Sequence, residues 1–203
     1  MEHRGAETED RRVVRTRKLI EQTLLEMMAE RGFKDLNVKN LAQKANINRG
    51  TFYLHYRDLY DLIEQTEVMN GLLDIFKPIS LGQLRLYDGG GRAFPAIVEA
   101  FEYLQRHAYF FKAVFHASAA PEVAQRLERL LGEHTYAEVG AQYESERQAS
   151  DYLIAYLGAA QFGLIRHWFA AGMNLAPDEI ALMLTRLIQA PPCLDEIVRR
   201  VGD

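Results

Sequence analysis

Between residues 48 and 57 the chain reads Asn-Arg-Gly-Thr-Phe-Tyr-Leu-His-Tyr-Arg. Arg49 can reach a guanine edge or a phosphate, Gly50 lets a backbone come close, and Thr51, Tyr53 and His55 carry donors suited to phosphate oxygens. That chemistry grips a polyanion. Other chemistry finds no support: there is no His-Glu-x-x-His, no pair of cysteines for zinc and no Gly-x-Ser-x-Gly. His3, His55, His107, His116, His134 and His167 show no ligand spacing, and the lone Cys193 lies between prolines and Leu194. No catalytic residue, metal or cofactor is expected.

The elements that must position those donors can be read from residues 36 to 57. Val38, Leu41, Ala42 and Ala45 fall at i, i+3, i+4 and i+7, one apolar stripe on a short helix that Asn37 caps. Asn46 stands where the chain must turn, in the left-handed conformation that Asn tolerates. Ile47 staples the turn to the core, and Asn48 caps a second helix from Arg49. That helix turns Gly50, Thr51, Tyr53 and Leu54 away from buried Ile47, Phe52 and Tyr56. The pattern is a helix-turn-helix whose second helix enters a DNA major groove. The plain alternative is a helical hairpin with solvated polar residues. Ahead of it, a first helix spans about Val14 to Arg31, with Leu19, Ile20, Thr23, Leu24, Met27 and Met28 inside and Gly32 ending it. Arg15 and Arg17 lie along phosphates, enter a minor groove, or solvate a fraying end. Residues 1–10 are polar and read as a disordered tail.

Charge follows the same division. Residues 1–60 carry a net +3 and residues 61–203 a net −7, in a chain of 203 residues with net charge −4. A basic head on an acidic body fits a protein that touches phosphate at one end. One cysteine excludes an intramolecular disulfide, and the charged N-terminal stretch holds no apolar signal segment. The apolar run Tyr152 to Ile165 contains Gln161 and stops at Arg166, too short for a membrane span. A cytoplasmic protein without membrane contact is expected.

Residues 17–62 resemble the DNA-binding head of the TetR family of bacterial regulators. The match runs through Glu30-Arg31-Gly32-Phe33, then Asn37-Val38-x-x-Leu41-Ala42-x-x-Ala45, then Ile47-Asn48-Arg49-Gly50-Thr51-Phe52-Tyr53-x-His55-Tyr56. The family usually has Gly at position 46, Ser at 48 and Lys at 59, where this chain has Asn, Asn and Leu; Arg57 substitutes for the lost Lys. The resemblance implies an all-α homodimer: a three-helix helix-turn-helix head, residues 11–57, and a helical dimerisation and ligand-binding body, residues 58–203. Each head would read half of a near-palindromic double-stranded DNA operator. The body would bind a small hydrophobic inducer, and the protein would most often be a repressor. The expected DNA contacts are Arg15, Arg17, Asn37, Val38, Lys39, Asn48, Arg49, Gly50, Thr51, Tyr53, His55 and Arg57.

A fourth helix, capped by Asp58, is expected to run unbroken toward Leu73. Pro78 and Asp88-Gly89-Gly90-Gly91 interrupt the pattern; no strand precedes the glycines, so they read as a connector and not a phosphate loop. Further helices are expected over Ala96 to Tyr109, continued by Phe110 to Phe115, over Val123 to Tyr143, over Ser150 to Ala171, and from Pro177 with Ile180, Leu184, Leu187 and Ile188 inside. Gly163-Leu164-Ile165-Arg166-His167-Trp168 and Ala176-Pro177-Asp178-Glu179 resemble the C-terminal region of one TetR subgroup. Small residues in the last two long helices, about 150–190, permit close approach and a dimer built as a four-helix bundle, or packing within one subunit. Tyr103, His107 and Tyr156 are the candidate ligand contacts. A rival of another class is a DNA-binding adaptor whose body answers to a protein partner.

Overall fold

A stripe on the first long helix sets the head. Ile20, Leu24 and Met28 recur at i, i+4 and i+8 on α1 (His3–Arg31) and are buried, with Thr23 beside them donating to Leu19 O at 2.8 Å. In this computed structural model, residues 3–33, 35–79, 81–115, 125, 128–129 and 147–189 are described. The helix begins at His3, in place of the tail expected over residues 1–10. Extending a helix that is already packed avoids a new nucleation cost. Leu19, expected inside, is exposed, one position off the buried stripe. Gly32, at φ 62°, ends the helix.

The next three helices are short and capped by side chains. Asn37 accepts from Asn40 N at 2.9 Å to open α2 (Val38–Lys44). Asn46 then adopts φ 52°, its amide donating to Gln43 O at 3.2 Å while Ile47 N donates to Ala42 O at 2.9 Å. These two crossed bonds form a Schellman turn, with Asn in the left-handed seat usually held by Gly. Asn48 accepts from Gly50 N at 3.1 Å to open α3 (Arg49–Tyr53). Phe52 and Tyr56 are buried with ring centroids 5.8 Å apart, whereas Ile47 is only half-buried. Asp58 accepts from Asp61 N at 2.8 Å to open α4 (Leu59–Glu64).

The fourth helix is not continuous as expected: it breaks at Gln65-Thr66 and restarts as α5 (Glu67–Phe76). The buried Thr66 hydroxyl donates to Ile63 O at 2.8 Å and accepts from Met69 N at 3.2 Å, so it closes one helix and caps the next. The Glu21 carboxylate of α1 accepts from Glu67 N at 2.5 Å.

The chain divides into two compact units, one drawn from Met1–Asn70 and Tyr109–Ala120, the other from Gly71–Ala108 and Pro121–Asp203. Every regular element among the described residues is helical. The second unit contains α6 (Leu81–Leu86), α7 (Pro95–Arg106), α9 (Arg147–Ala170) and α10 (Pro177–Gln189); α8 (Ala108–Phe115) belongs almost wholly to the first. The run from Ala96 through Phe115 is therefore two helices, parted at His107, whose amide bonds back to Tyr103 O at 3.1 Å. Within the second unit, α7 and α6 both pack on α10. Phe101 meets Trp168 edge-on at 5.2 Å, and the indole N–H donates to Leu175 O at 2.9 Å. Gln189 donates to Leu84 O at 3.0 Å and Tyr87 O at 2.8 Å, closing the end of α6. The glycine connector is an ordered turn: Tyr87 Oη donates to Ala93 O at 3.1 Å and Gly90 N to Asp88 Oδ1 at 3.2 Å. Leu187, expected inside, is 56% exposed. Apart from Gln125, Glu128 and Arg129, the helix expected over Val123 to Tyr143 lies outside the described residues.

The Asn46 turn gives the first prediction. Asn46→Val, a β-branched residue forced into the left-handed region, is expected to destabilise the protein by about 1–2 kcal/mol. Asn46→Gly is expected to cost nothing. Urea titration followed by circular dichroism measures both; equal stability of the Val variant would show that the turn relaxes.

Candidate nucleic-acid interface

Caps and burial decide which side chains of the second helix remain outside. Phe52 fixes the inner face of α3, and Lys39, Asn48, Arg49, Gly50, Tyr53 and Arg57 are exposed; Val38, Thr51 and His55 are half-buried. Tyr53 is 51% exposed, its ring edge-on to Phe52 at 5.4 Å. Asn37 and Asn48 are exposed, but each spends its side-chain oxygen on a cap. A Cβ added at Gly50 would meet only Asn48 Oδ1, at 3.8 Å, so the fold does not require glycine there. Its absence instead leaves the helix backbone open to close approach. Residues 36–57 include Lys39, Lys44, Arg49 and Arg57 and not one Asp or Glu. Lys44 is held by Glu30 at 2.6 Å and Glu26 at 3.8 Å, and the Lys44 hydrogen bond lowers the Glu30 pKa.

Two of the arginines expected on phosphate also hold the frame of the head. The Arg17 guanidinium lies over the Tyr56 ring at 5.3 Å, with Nε donating to Tyr56 Oη at 3.4 Å and a terminal nitrogen donating to Gln65 Oε1. Asp61 accepts from Arg57 N at 2.9 Å and from the Arg57 guanidinium at 3.0 Å, and Gln65 also bonds to it. Burial opposes ionisation of Asp61, but the Arg57 amide and guanidinium and the Gln65 bond outweigh it and hold the carboxyl below its usual range. The same hydrogen bond raises Arg57. The Arg57 side chain is still 74% exposed, and a guanidinium has donors to spare. The sequence reading missed Asp61 and Gln65; the Arg57 to Asp61 spacing of i, i+4 was the available signal for the first. Arg15 is exposed on α1, and Leu59 is half-buried.

Of the candidate ligand contacts, Tyr103 and His107 come together, with ring centroids 4.4 Å apart and Arg106 over Tyr103 at 5.6 Å. Burial, and then the Arg106 charge, push the His107 pKa down. The Tyr103 ring lies so close to Gly71 that a Cβ there would sit 2.8 Å from Tyr103 Cζ. Tyr156 is 67% exposed on α9 and joins neither. A groove of about 530 Å³ is lined by Gln125, Glu128, Arg129, Asp151, Ile154, Ala155 and Gly158, and includes none of the three. A second, of about 690 Å³, lies among Tyr87, Arg92, Val98, Glu99, Glu102, Asp178 and Leu182 and also includes none of them. Among the described residues no group of His, Cys, Asp or Glu is placed to hold a metal, and no helix is long and apolar enough to cross a membrane.

The family of bacterial regulatory proteins of the tetR type matches residues 20–66, and a transcriptional regulator C-terminal region matches residues 92–190. The HTH-type transcriptional regulator YxbF of Bacillus subtilis is 33% identical over 36% of this chain; the match spans only 19% of YxbF. An HTH-type transcriptional regulator of Haemophilus influenzae is 23% identical over 78% of this chain and 76% of its own length. Among solved structures, a tetR-family transcriptional regulator from Streptomyces coelicolor superposes with a TM-score of 0.58 at 15% identity, covering 92% of this chain and 88% of its own. The dihydroxyacetone kinase operon activator DhaS does so at 0.52 and 15% identity, over 86% and 94%. At these identities the likeness shows the fold.

The Asp61 network makes stability depend on pH with a definite sign. A carboxyl whose pKa is lower folded than unfolded contributes stability above its unfolded value, about 3.9, and loses it as pH falls through the folded value. Melting temperature should therefore fall on acidification below about pH 4, and Asp61→Asn should flatten that part of the profile. An unchanged profile in the variant would place the acid sensitivity elsewhere.

Proposed function

The chain belongs to the TetR family of bacterial DNA-binding transcriptional regulators, and we propose that it acts in the cytoplasm as a repressor released from a near-palindromic operator by a small hydrophobic inducer. The observation that carries this is the face of α3: an acid-free, cationic surface in which Phe52 and Tyr56 are turned inward and the glycine leaves the backbone uncovered. Arg49 is the base-reading cation. Tyr53, Thr51 and His55 donate to phosphates, with Lys39 and Asn37 of the preceding helix and Arg15 of α1 alongside. Arg57 adds a phosphate contact from its unused donors, and Arg17 holds Tyr56 in place.

An operator of two half-sites needs two heads. On α9, Tyr152, Tyr156, Ala159, Ala160 and Ala170 are exposed along one side, and on α10 Met183 and Leu187 are exposed. Apolar side chains left outside at helical spacing on two consecutive helices support a dimer closed by those helices from each subunit. Recognition helices must then lie about 34–36 Å apart to meet successive major grooves. The inducer would bind the second unit, with Tyr103 and His107 as contacts. A preference of about 1–3 kcal/mol for the DNA-incompetent form changes operator affinity about 5- to 150-fold.

Selecting fragments from genomic DNA with the purified protein should recover a near-palindrome. If three or four phosphates per half-site are neutralised, log affinity should fall with log salt at a slope of roughly −5 to −7; a flat response would sink the proposal. Tyr53→Phe should weaken binding by about 1 kcal/mol per head, read by gel shift, while helicity and sedimentation stay unchanged. Loss of fold in that variant would place the hydroxyl in the core instead.

A further inference from the structure

One side chain on the proposed DNA face does not belong to phosphate chemistry. Leu54 is 82% exposed, directly after the last helical residue of α3. Its position is fixed: Leu54 N donates to Gly50 O at 3.1 Å, and Tyr56 N donates to Phe52 O at 3.0 Å just beyond. Residues four apart share a helix face, so Leu54 lies one turn along from Gly50, whose missing Cβ lets that face approach its ligand closely. On the opposite side Phe52 and Tyr56 are buried and fill the inner face of this turn.

An isobutyl group held out in water contributes nothing to folding, and its neighbours limit what can cover it. In sequence Arg49, His55 and Arg57 are its cationic or donor neighbours; the segment from 36 to 57 has no acidic residue, and Asp58 just beyond spends a carboxylate oxygen on capping α4. The occupant must be anionic and must carry an apolar group at the depth of the helix face. A B-DNA major groove meets both requirements, because its floor displays one apolar substituent, the C5-methyl of thymine.

We infer that Leu54 is a specificity-determining residue that reads a thymine methyl in each half-site, beside the base read by Arg49. The assignment rests on the DNA-binding function proposed above.

The probe is a duplex recovered by selection from random-sequence DNA with the whole chain, remade with each thymine in turn replaced by deoxyuridine, which removes the methyl alone. The wild-type protein should lose about fourfold in affinity at one thymine of each half-site, the value of one buried methyl group. Leu54→Ala should bind the thymine and uracil duplexes equally while keeping wild-type helicity. The inference is overturned if no thymine replacement weakens the wild type, or if Leu54→Ala retains the same discrimination. It is also overturned if the variant changes the oligomeric state without changing discrimination, since Leu54 would then serve a protein contact. Failure of the wild type to bind any duplex would remove the DNA-binding function itself, an outcome distinct from the other three.

Discussion

A helix of five residues cannot sustain itself in water, because the cost of fixing its first turn exceeds what so few hydrogen bonds return. The segment Arg49–Tyr53 exists because its surroundings remove that cost from three sides. The crossed bonds at Asn46 and Ile47 deliver the chain already turned, Asn48 satisfies an amide that the helix itself cannot, and Phe52 and Tyr56 anchor the inner face. Everything outward-facing on this helix inherits its direction from those contacts. The proposed interface of Arg49, Tyr53 and Leu54 is therefore only as well placed as an asparagine turn and a phenylalanine allow.

The same economy governs the arginines. Arg17 and Arg57 have the charge that phosphate recognition calls for, yet each is drawn into a chain of contacts running Tyr56, Arg17, Gln65, Asp61, Arg57 around the join between α3 and α4. Asp61 is the acid that makes this possible. It is buried, so it would favour neutrality, and it stays charged because three donors converge on it. Breaking the fourth helix at Thr66 is part of this arrangement: the hydroxyl that closes α4 also caps α5, and Gln65 is left at the break to bridge Arg17 and Asp61.

In the second unit, side chains distant in sequence take over the role that caps play in the first. Gln189 closes the end of α6 from about a hundred residues away, Thr185 receives the amide of Phe94 ahead of α7, and the Trp168 indole binds the loop that opens α10. These bonds fix α10 so that Ile180, Leu184 and Ile188 face inward and Met183 and Leu187 do not. Partition of that helix into a packed side and a bare apolar side follows from where its partners are, and the bare side is the one the proposed dimer would cover.

Much of the head was legible in the chain because its signals are local. Caps at Asn37, Asn48 and Asp58, the left-handed Asn46 and the buried Phe52 each follow from interactions within five residues, which spacing and side-chain type determine. The family likeness and the all-helical class rest on the same short-range pattern. Tertiary structure decided the rest. Periodicity could not separate Leu187 from Ile188, or Leu19 from Ile20, because neighbours on a stripe's edge are sorted only by what packs against them. Nor could it show that the fourth helix breaks where Glu21 receives an amide, or that Arg17 is committed to Gln65, since those partners lie 46 and 48 residues apart. A side chain's type limits the bonds it can make; only the folded chain decides which partner it meets.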